Sequence, residues 1–386
     1  MTVLFYTATC YLDISLEIIN VLKKCVDLHV LSEIHPGTKM QNIIEVEHLP
    51  SDKTLVTPSE LLGSENYQHL AGYFDGVKSV HFAVHPKKGL VSSLRFSRDI
   101  YRFVKKIKPD VLHLEAMLIR SINLVPSMMF FKKLVMSIHD PVQHTGEKDW
   151  KTSFLKFIYF HFPIRKHFLF YSNFARDQFD DTNKNKRKSK SVLLMNPYTY
   201  FNKLKQPGKK QGKHILFFGR LSKYKGIDVL LKAIPDVFKE FPRETLVIAG
   251  KEINGYKVDE EIINRHSENI TLISKHISNS ELVQLISDSK FIVCPYLDAT
   301  QSGVLMTALA LDTPVIASDA GAFPEYVNEQ VNGLIVPAGD DKLLSEKIRM
   351  ALRDDFYDDM KKNIEKSDKN KWDLNRNILL HSYSLQ

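Results

Sequence analysis

Cysteine is scarce in this sequence: Cys10, Cys25 and Cys294 are widely spaced, odd in number, and include no CxxC pair. They suggest neither a disulfide framework nor a zinc site and read as buried apolar filler. Long apolar runs are missing too. The nearest candidate for the roughly 18 uncharged residues of a membrane span, FLKFIYFHFPIRKHFLFYS, is broken by Lys156, Pro163, Arg165 and Lys166. The start, MTVLFYTATCYLDISLEI, has no basic segment ahead of its apolar residues and meets Asp13 early. A cleaved signal peptide is therefore not expected, and a cytoplasmic location is. The stretch YTATCYLD contains no glycine, which argues against the dinucleotide fingerprint of a dehydrogenase. Nor is there a convincing pair of carboxylates, of the kind a glycosidase holds roughly 5–9.5 Å apart, near the ends of the predicted strands. His139, Asp140, His144 and Glu147 match no compact zinc spacing, so neither a metal nor another cofactor is expected. The acidic pairs at Asp180, Asp340, Asp354 and Asp358 read as helix ends and exposed faces.

What the sequence does contain is an alternation of short apolar stretches and amphipathic ones. TVLFYT, DLHVLS, DVLHLEA, KLVMSIHD and KHFLFYS read as strands in the first half, with helices at Ile14–Lys24 and over NFARDQF. Between His35 and Leu90 the pattern is not legible. The second half repeats the grammar: HILFFG, a helix over Ile227–Glu240, TLVIAG, a helix near Glu260, ITLIS, a helix over Ser280–Ser287, FIVCPY, a helix over Val304–Leu311, and PVIAS. Parallel strands need crossovers, so this order predicts parallel sheets covered by helices on both faces. At 386 residues, with 44% hydrophobic and 25% charged residues, the chain is long enough for two such soluble α/β domains. Phe201–Lys213, polar and containing Pro207, Gly208 and Gly212, is the expected linker. It separates a domain over residues 1–200 from one over 214–370.

The net charge of +8 is uneven: residues 1–205 carry +10 and residues 206–386 carry −2. A basic half suits nucleic acid, an anionic membrane surface or a phosphate-bearing substrate. Its densest patch, KNKRKSKS (Lys184–Ser191), lacks the interleaved aromatics used to stack bases, so it reads as a solvated loop and no nucleic-acid partner is expected.

In doubly wound sheets ligands bind beyond the carboxyl ends of the strands. Arg220 and Lys225 occupy such a place, after HILFF and Gly219 and ahead of a helix whose first N–H groups lack intrahelical partners. Two fixed cations at a positive helix end suit a diphosphate; surface charges in an ordinary loop are the alternative. After FIVCPY comes the small, polar loop DATQSG, which puts Gln301, Ser302 and Gly303 in the cap region of the helix from Val304. PVIAS then ends at DAGAFPE. If the strands form one sheet, three loops converge.

FFGRLSKYKGIDVLLKA, LVIAG, FIVCPY, TPVIASDAGAFPEYV and VNGLIVPAGD together resemble the carboxyl-terminal domain of glycosyltransferase family 4, retaining enzymes of the GT-B fold. The likeness runs from about Lys213 to Ile348, in order and at ordinary spacing. KKLVMSIHDPVQHTGE and HFLFYSNFARDQF resemble the family's acceptor-side domain more loosely. KWDLNRNILLHSYSLQ resembles its closing helix, so residues 371–386 are expected back on the first domain.

The resemblance implies two Rossmann-like domains facing across a cleft and transfer of a sugar from a nucleotide-diphosphate sugar to an acceptor hydroxyl. It implies Arg220 and Lys225 as the diphosphate grip and, with His139, as catalytic residues. Gly219, Gln301, Ser302, Gly303, Val304 and Glu325 fall on the donor side, with Glu325 alternatively capping the helix after Pro324. His276 and Ile277 border the nucleobase. His139, Asp140 and His144 lie on the acceptor side, although a His–Asp pair after a strand is also commonly a hydrogen-bonded cap. The sequence departs from the family at Ala299 and Thr307, where most members carry two glutamates, and ATQSGV resembles a known variant of the donor loop. The glycine-free first loop also departs from many relatives. The expected partners are a nucleotide-diphosphate sugar, a glycan or lipid-linked glycan acceptor, and an anionic membrane at its cytoplasmic face, in cell-surface polysaccharide biosynthesis. A catalytically silent module that binds nucleotide or glycan is the alternative; a nucleotide-sugar epimerase lacks its expected carboxylates.

Overall fold

The computed structural model describes residues 1–386 apart from 35–39, 42, 47–48, 50–52, 86–89, 143–149, 183–188, 206–211, 254, 354–355, 367–371 and 385–386. The chain divides into two compact units. One comprises Met1–Tyr171, Arg176–Leu194 and Asn370–Gln386, the other Ser172–Ala175 and Met195–Lys369.

The strands of the first unit are β1 (Thr2–Ala8), β2 (Asp27–Ile34), β3 (Met40–Gln41), β4 (Ile44–Glu45), β5 (Leu55–Val56), β6 (Ser79–Val84), β7 (Val111–Leu114), β8 (Lys133–Ile138), β9 (Arg165–Phe170) and β10 (Ser189–Val192). Eight form one sheet in the order β10-β9-β8-β7-β1-β2-β6-β5, while β3 and β4 pair separately. Every pairing in the large sheet is parallel except that of β5 with β6. The central strands are buried along their whole length, as VLHL and KLVMSI are, because helices cover both faces. The edge strand SKSV is only half-buried and keeps its polar residues.

The second unit contains β11 (His214–Phe218), β12 (Leu246–Ala249), β13 (Ile270–Ile273), β14 (Ser289–Cys294), β15 (Val315–Ser318) and β16 (Gly333–Val336). Their order is β13-β12-β11-β14-β15-β16, with every pairing parallel. The chain thus winds outward from β11 on one side, returns, and winds outward from β14 on the other. The point of reversal lies between these two strands, where their carboxyl ends open a crevice. In the first unit the same reversal falls between β1 and β7.

Several boundaries differ from the sequence expectation. The first helix is Leu12–Leu22, two residues earlier than predicted; Ile227–Glu240 is as predicted. The illegible stretch contains the helix Ser64–Phe74 and β6. Their patterns are weak because His69 and His81 interrupt otherwise apolar faces. The chain enters the second unit at Met195, upstream of the stretch 201–213 read as the linker. The reason is aromatic burial: Tyr198, Tyr200 and Phe201 are each buried, and Thr199–Leu204 winds into a 3-10 helix. Residues 206–211 of that stretch, and 184–188 of the basic patch, lie outside the described residues. Lys190, at the end of the patch, pairs with Asp180. Asp340 ends a helix as expected, accepting from the Leu343 N–H at 2.9 Å.

Close backbone approach sets the loops at the carboxyl edge of the second sheet. Gly226, at φ +68°, passes so near the β14 loop that a Cβ on it would lie 1.8 Å from the Pro295 carbonyl oxygen. Gly321, at φ +59°, passes the Ala299 carbonyl oxygen, and a Cβ there would lie 1.4 Å away. The Leu297 N–H donates to the Tyr224 carbonyl at 2.8 Å, and the Ser318 hydroxyl to the Tyr296 carbonyl at 2.6 Å. The loops after β11, β14 and β15 are therefore one connected structure. Gly76, at φ +82°, has nothing within 4 Å of a Cβ. Gly76→Ala is expected to cost only the left-handed conformation, about 1–2 kcal/mol. Gly226→Ala and Gly321→Ala must also move backbone, so each is expected to lower Tm by several degrees more than Gly76→Ala; equal Tm losses would show that the loops yield freely.

Candidate functional site

Arg220 and Lys225 both follow β11, at the reversal point, but their surroundings are opposite. Arg220 is exposed, its guanidinium 3.4 Å from the Tyr224 hydroxyl. Lys225 is only 8% exposed. It sits in the short 3-10 turn Lys223–Lys225, donates to the Tyr296 hydroxyl at 2.5 Å, and lies 3.9 Å from the centroid of that ring. Burial disfavours its charged form and, helped by the repulsion of Arg220, brings its pKa down to about 7. Burial likewise pushes the Cys294 thiol up to about 12 and raises the Tyr296 phenol, so both neighbours are neutral. An anion placed beside Lys225 would favour its ammonium form.

The helix Gly303–Ala310 begins at the expected loop. Ser302 is its N-cap, accepting from the Leu305 N–H at 3.3 Å, and is buried. Val304 comes from the first turn of this helix and touches Gly219, where an added Cβ would lie 3.3 Å from Val304 Cγ2. Gln301 is half-buried in the same loop. Gly219, Arg220, Lys225, Gln301, Ser302, Gly303 and Val304 thus border one crevice. The two positions lacking the expected glutamates are filled structurally. Ala299 is buried against Gly321, and Thr307 is buried with its hydroxyl donating to the Gly303 carbonyl at 2.8 Å.

His276 and Ile277 follow β13, two strands away from β11, which at ~4.8 Å per strand is ~10 Å along the sheet. His276 is exposed and Ile277 half-buried. Glu325 does not cap the helix Phe323–Tyr326, which has no side-chain cap. Its carboxylate accepts instead from the Asn173 and Phe174 N–H groups, each at 2.8 Å, and from the Asn173 side-chain amide at 2.9 Å. With three donors already satisfied, it serves as an anchor for residues 172–175. This folding-back of a distant segment had no signal in the local sequence.

In the first unit, His139 follows β8 and is 8% exposed. Its Nε2 donates to Glu115, lying 2.9 Å from Oε1 and 3.0 Å from the backbone oxygen. Glu115, directly after β7, is fully buried. Sequence reasoning passed over it as part of a strand; a glutamate ending an otherwise apolar strand was the available signal. It also accepts from the Ser137 and Tyr171 hydroxyls, each at 2.5 Å. Asp140 is half-buried, its carbonyl accepting from Lys156 at 3.3 Å. His144 and Glu147 lie outside the described residues. The glycine-free first loop forms the turn Thr9–Tyr11, which brings the Tyr11 ring to 4.4 Å from that of His139.

Residues 200–370 match the family described as glycosyl transferases group 1. Over 150 residues the chain is 31% identical to a phosphatidyl-myo-inositol mannosyltransferase of Mycobacterium leprae, covering 37% of this chain and 38% of that protein. Over 131 residues it is 30% identical to spore coat protein SA of Bacillus subtilis, covering 32% and 35%. The chain therefore spans little more than a third of the length of these curated relatives. The structure of Anabaena Alr3699/HepE in complex with UDP-glucose superimposes with a TM-score of 0.67 at 13% identity, covering 99% of this chain and 100% of that one, which is a likeness of fold. Over residues 200–370 the chain is thus similar to the group 1 glycosyl transferases, and its two Rossmann-like α/β units have the GT-B fold.

Proposed function

We propose that the protein is a retaining glycosyltransferase that moves a sugar from a nucleotide-diphosphate sugar to an acceptor hydroxyl in cell-surface polysaccharide biosynthesis. The observation that carries this reading is the pairing of exposed Arg220 with buried Lys225 at the reversal point of the second sheet, beside a helix N-terminus. When the glycosidic bond breaks, charge accumulates on the distal phosphate. Preorganised cations and N–H groups lower the barrier most when they face that charge in a water-poor site. The acceptor hydroxyl attacks on the face the leaving group vacates and loses its proton to a phosphate oxygen, so no protein nucleophile is needed. Sugar hydroxyls, without the family's two glutamates, are left to Gln301, Ser302 and the loop amides. Glu325 is withdrawn from that role by its three donors.

A lipid-linked acceptor is supported by the surface of the first unit. The helix Leu90–Ile107 exposes Arg95, Arg98, Arg102, Lys105 and Lys106. Exposed apolar side chains stand on it and on the two elements nearby: Leu94, Ile122, Met129, Phe154 and Phe157. Basic residues contribute about 1 kcal/mol each near an anionic bilayer. No helix among the described residues is long and apolar enough to cross a membrane. One relative is by name a phosphatidyl-myo-inositol mannosyltransferase. The basic and apolar surface supports a peripheral position at the cytoplasmic face of the membrane, and the proposed reaction calls for no metal. The missing carboxylates favour a second reading, a silent module that binds nucleotide without turnover.

Thermal shift with UDP, GDP, ADP and the common UDP- and GDP-sugars is expected to show one stabilising base series, because ligand binding raises stability by mass action. The Arg220→Ala/Lys225→Ala variant is expected to lose that shift. Binding followed by release of nucleoside diphosphate and sugar transfer supports the enzyme; binding without either supports the silent module. Diphosphate affinity is expected to fall as pH rises from about 7 to 9, because Lys225 must take up a proton that it loses above about 7 when empty. Calorimetry in two buffers of unequal ionisation enthalpy would read that uptake, and Lys225→Ala should abolish it. Co-sedimentation with phosphatidylserine vesicles at low salt is expected to succeed and to weaken in Arg95→Glu/Arg98→Glu; no binding by the parent protein removes the membrane part of the reading.

A further inference from the structure

The first unit carries a buried polar chain that the proposed reaction does not yet use. Tyr383, in the helix Trp372–Tyr383, lies 2.6 Å from His113 Nδ1. His113 Nε2 lies 3.0 Å from the Ser137 hydroxyl, which donates to Glu115 Oε2. One consistent assignment follows: Tyr383 donates to His113, His113 to Ser137, and Ser137 to Glu115. Tyr171 donates to the other carboxylate oxygen, and His139 Nε2–H completes the set. His113, Glu115, Tyr383, Ser137 and Tyr171 are essentially without exposure, so nothing in the chain is oriented by solvent.

Such a carboxylate is worth burying only if its partners are fixed, since a lone ionised group in this place would cost several kcal/mol. Burial alone would raise the Glu115 pKa; the nearby imidazoles of His113 and His139 outweigh it and bring it down to about 2. The same balance acts on His139. Burial alone would lower its pKa, and the bond to Glu115 with the attractions of Glu115 and Asp140 raises it. Also close to this pair are the Tyr11 and Tyr171 rings, at 4.4 and 5.1 Å from His139, and Lys156 at the Asp140 carbonyl.

We propose that Glu115 is a positioning residue that grips His139 through Nε2 as a fixed cation, so that His139 serves sugar transfer as a donor and a positive charge and not as the base that removes the acceptor's proton. The proposal rests on the transferase reading above. With Nε2–H committed to a carboxylate, only Nδ1 of the ring is left as an acceptor, and once it too is protonated the ring has no lone pair with which to take a proton. It leaves the departing phosphate oxygen as the proton's destination, in agreement with the lack of a protein nucleophile. The chain of donors behind Glu115 reaches to the carboxyl-terminal helix, so the orientation of His139 depends on residues nearly 250 positions away in sequence.

The test has one arm that needs no substrate. Ring-carbon NMR of the full chain, with His139→Gln to assign the signal, follows the titration of His139. It is expected to titrate above the ordinary histidine value of about 6.5, and in Glu115→Gln to move down by about one pH unit or more. Glu115→Asp should move it part of the way. Tyr171→Phe removes a bond to Glu115 but keeps the carboxylate, so the titration should stay high; a merely structural role would give the same change in all three. Titration of the parent protein at or below the ordinary value overturns the proposal even if no variant folds. In the second arm Glu115→Gln is expected to reduce kcat ~10–100-fold with donor KM little changed, as for a displaced reacting group. A kcat in the parent protein that falls with protonation of His139 would make it the base and overturn the proposal. If no nucleotide sugar binds or is turned over, the transferase reading fails, while the NMR arm still decides whether Glu115 fixes the charge of His139.

Discussion

The candidate donor site depends on backbone passing backbone at distances that no side chain tolerates. Gly226 beside Pro295 and Gly321 beside Ala299 bring three strand-end loops into a single layer over the reversal point of the second sheet. A loop free to move would need to be ordered by its ligand at a cost in affinity. Here the ordering is done during folding. Ser302 at a helix N-cap, Lys225 in a tight turn and the Ser318 bond to the Tyr296 carbonyl all follow from that layer.

The same packing explains the contrast between the two cations. The turn that brings Lys225 under the loops places it against Tyr296 and away from water, where its charge is marginal. Arg220, five residues earlier, stays in water and charged. A delocalised guanidinium always carries its proton, whereas a lysine's proton responds to burial. Arg220 is thus charged whatever it faces, whereas the charge of Lys225 depends on what is brought beside it. In the first unit a similar dependence on neighbours holds, where burial and the bond between Glu115 and His139 act on the two groups together.

The absence of the two family glutamates also becomes intelligible in three dimensions. Ala299 is buried, with its backbone against Gly321, and Thr307 is tied to its own helix by a hydroxyl bond. These positions have been taken over by packing. The loop ahead of that helix carries Gln301 and Ser302 instead. Glu325 is spent on holding residues 172–175.

Much of this was legible from local pattern. Parallel α/β units, the strand preceding Arg220, the helix Ile227–Glu240 and the cap at Ser302 depend on apolar spacing, glycine and cap chemistry within a dozen residues. The stretch between His35 and Leu90 was not legible, since its short elements are recognised as strand or helix only through the neighbours that cover them. The entry into the second unit was misplaced because Tyr198, Tyr200 and Phe201 bury against residues a hundred positions onward. Sequence by itself determined which residue types stand at the strand ends, and so the kind of ligand they suit. Only the tertiary structure decided that Lys225 is desolvated, that Glu325 is occupied, and that Glu115 stands behind His139, because burial and pairing of a charge are set by groups distant in the chain.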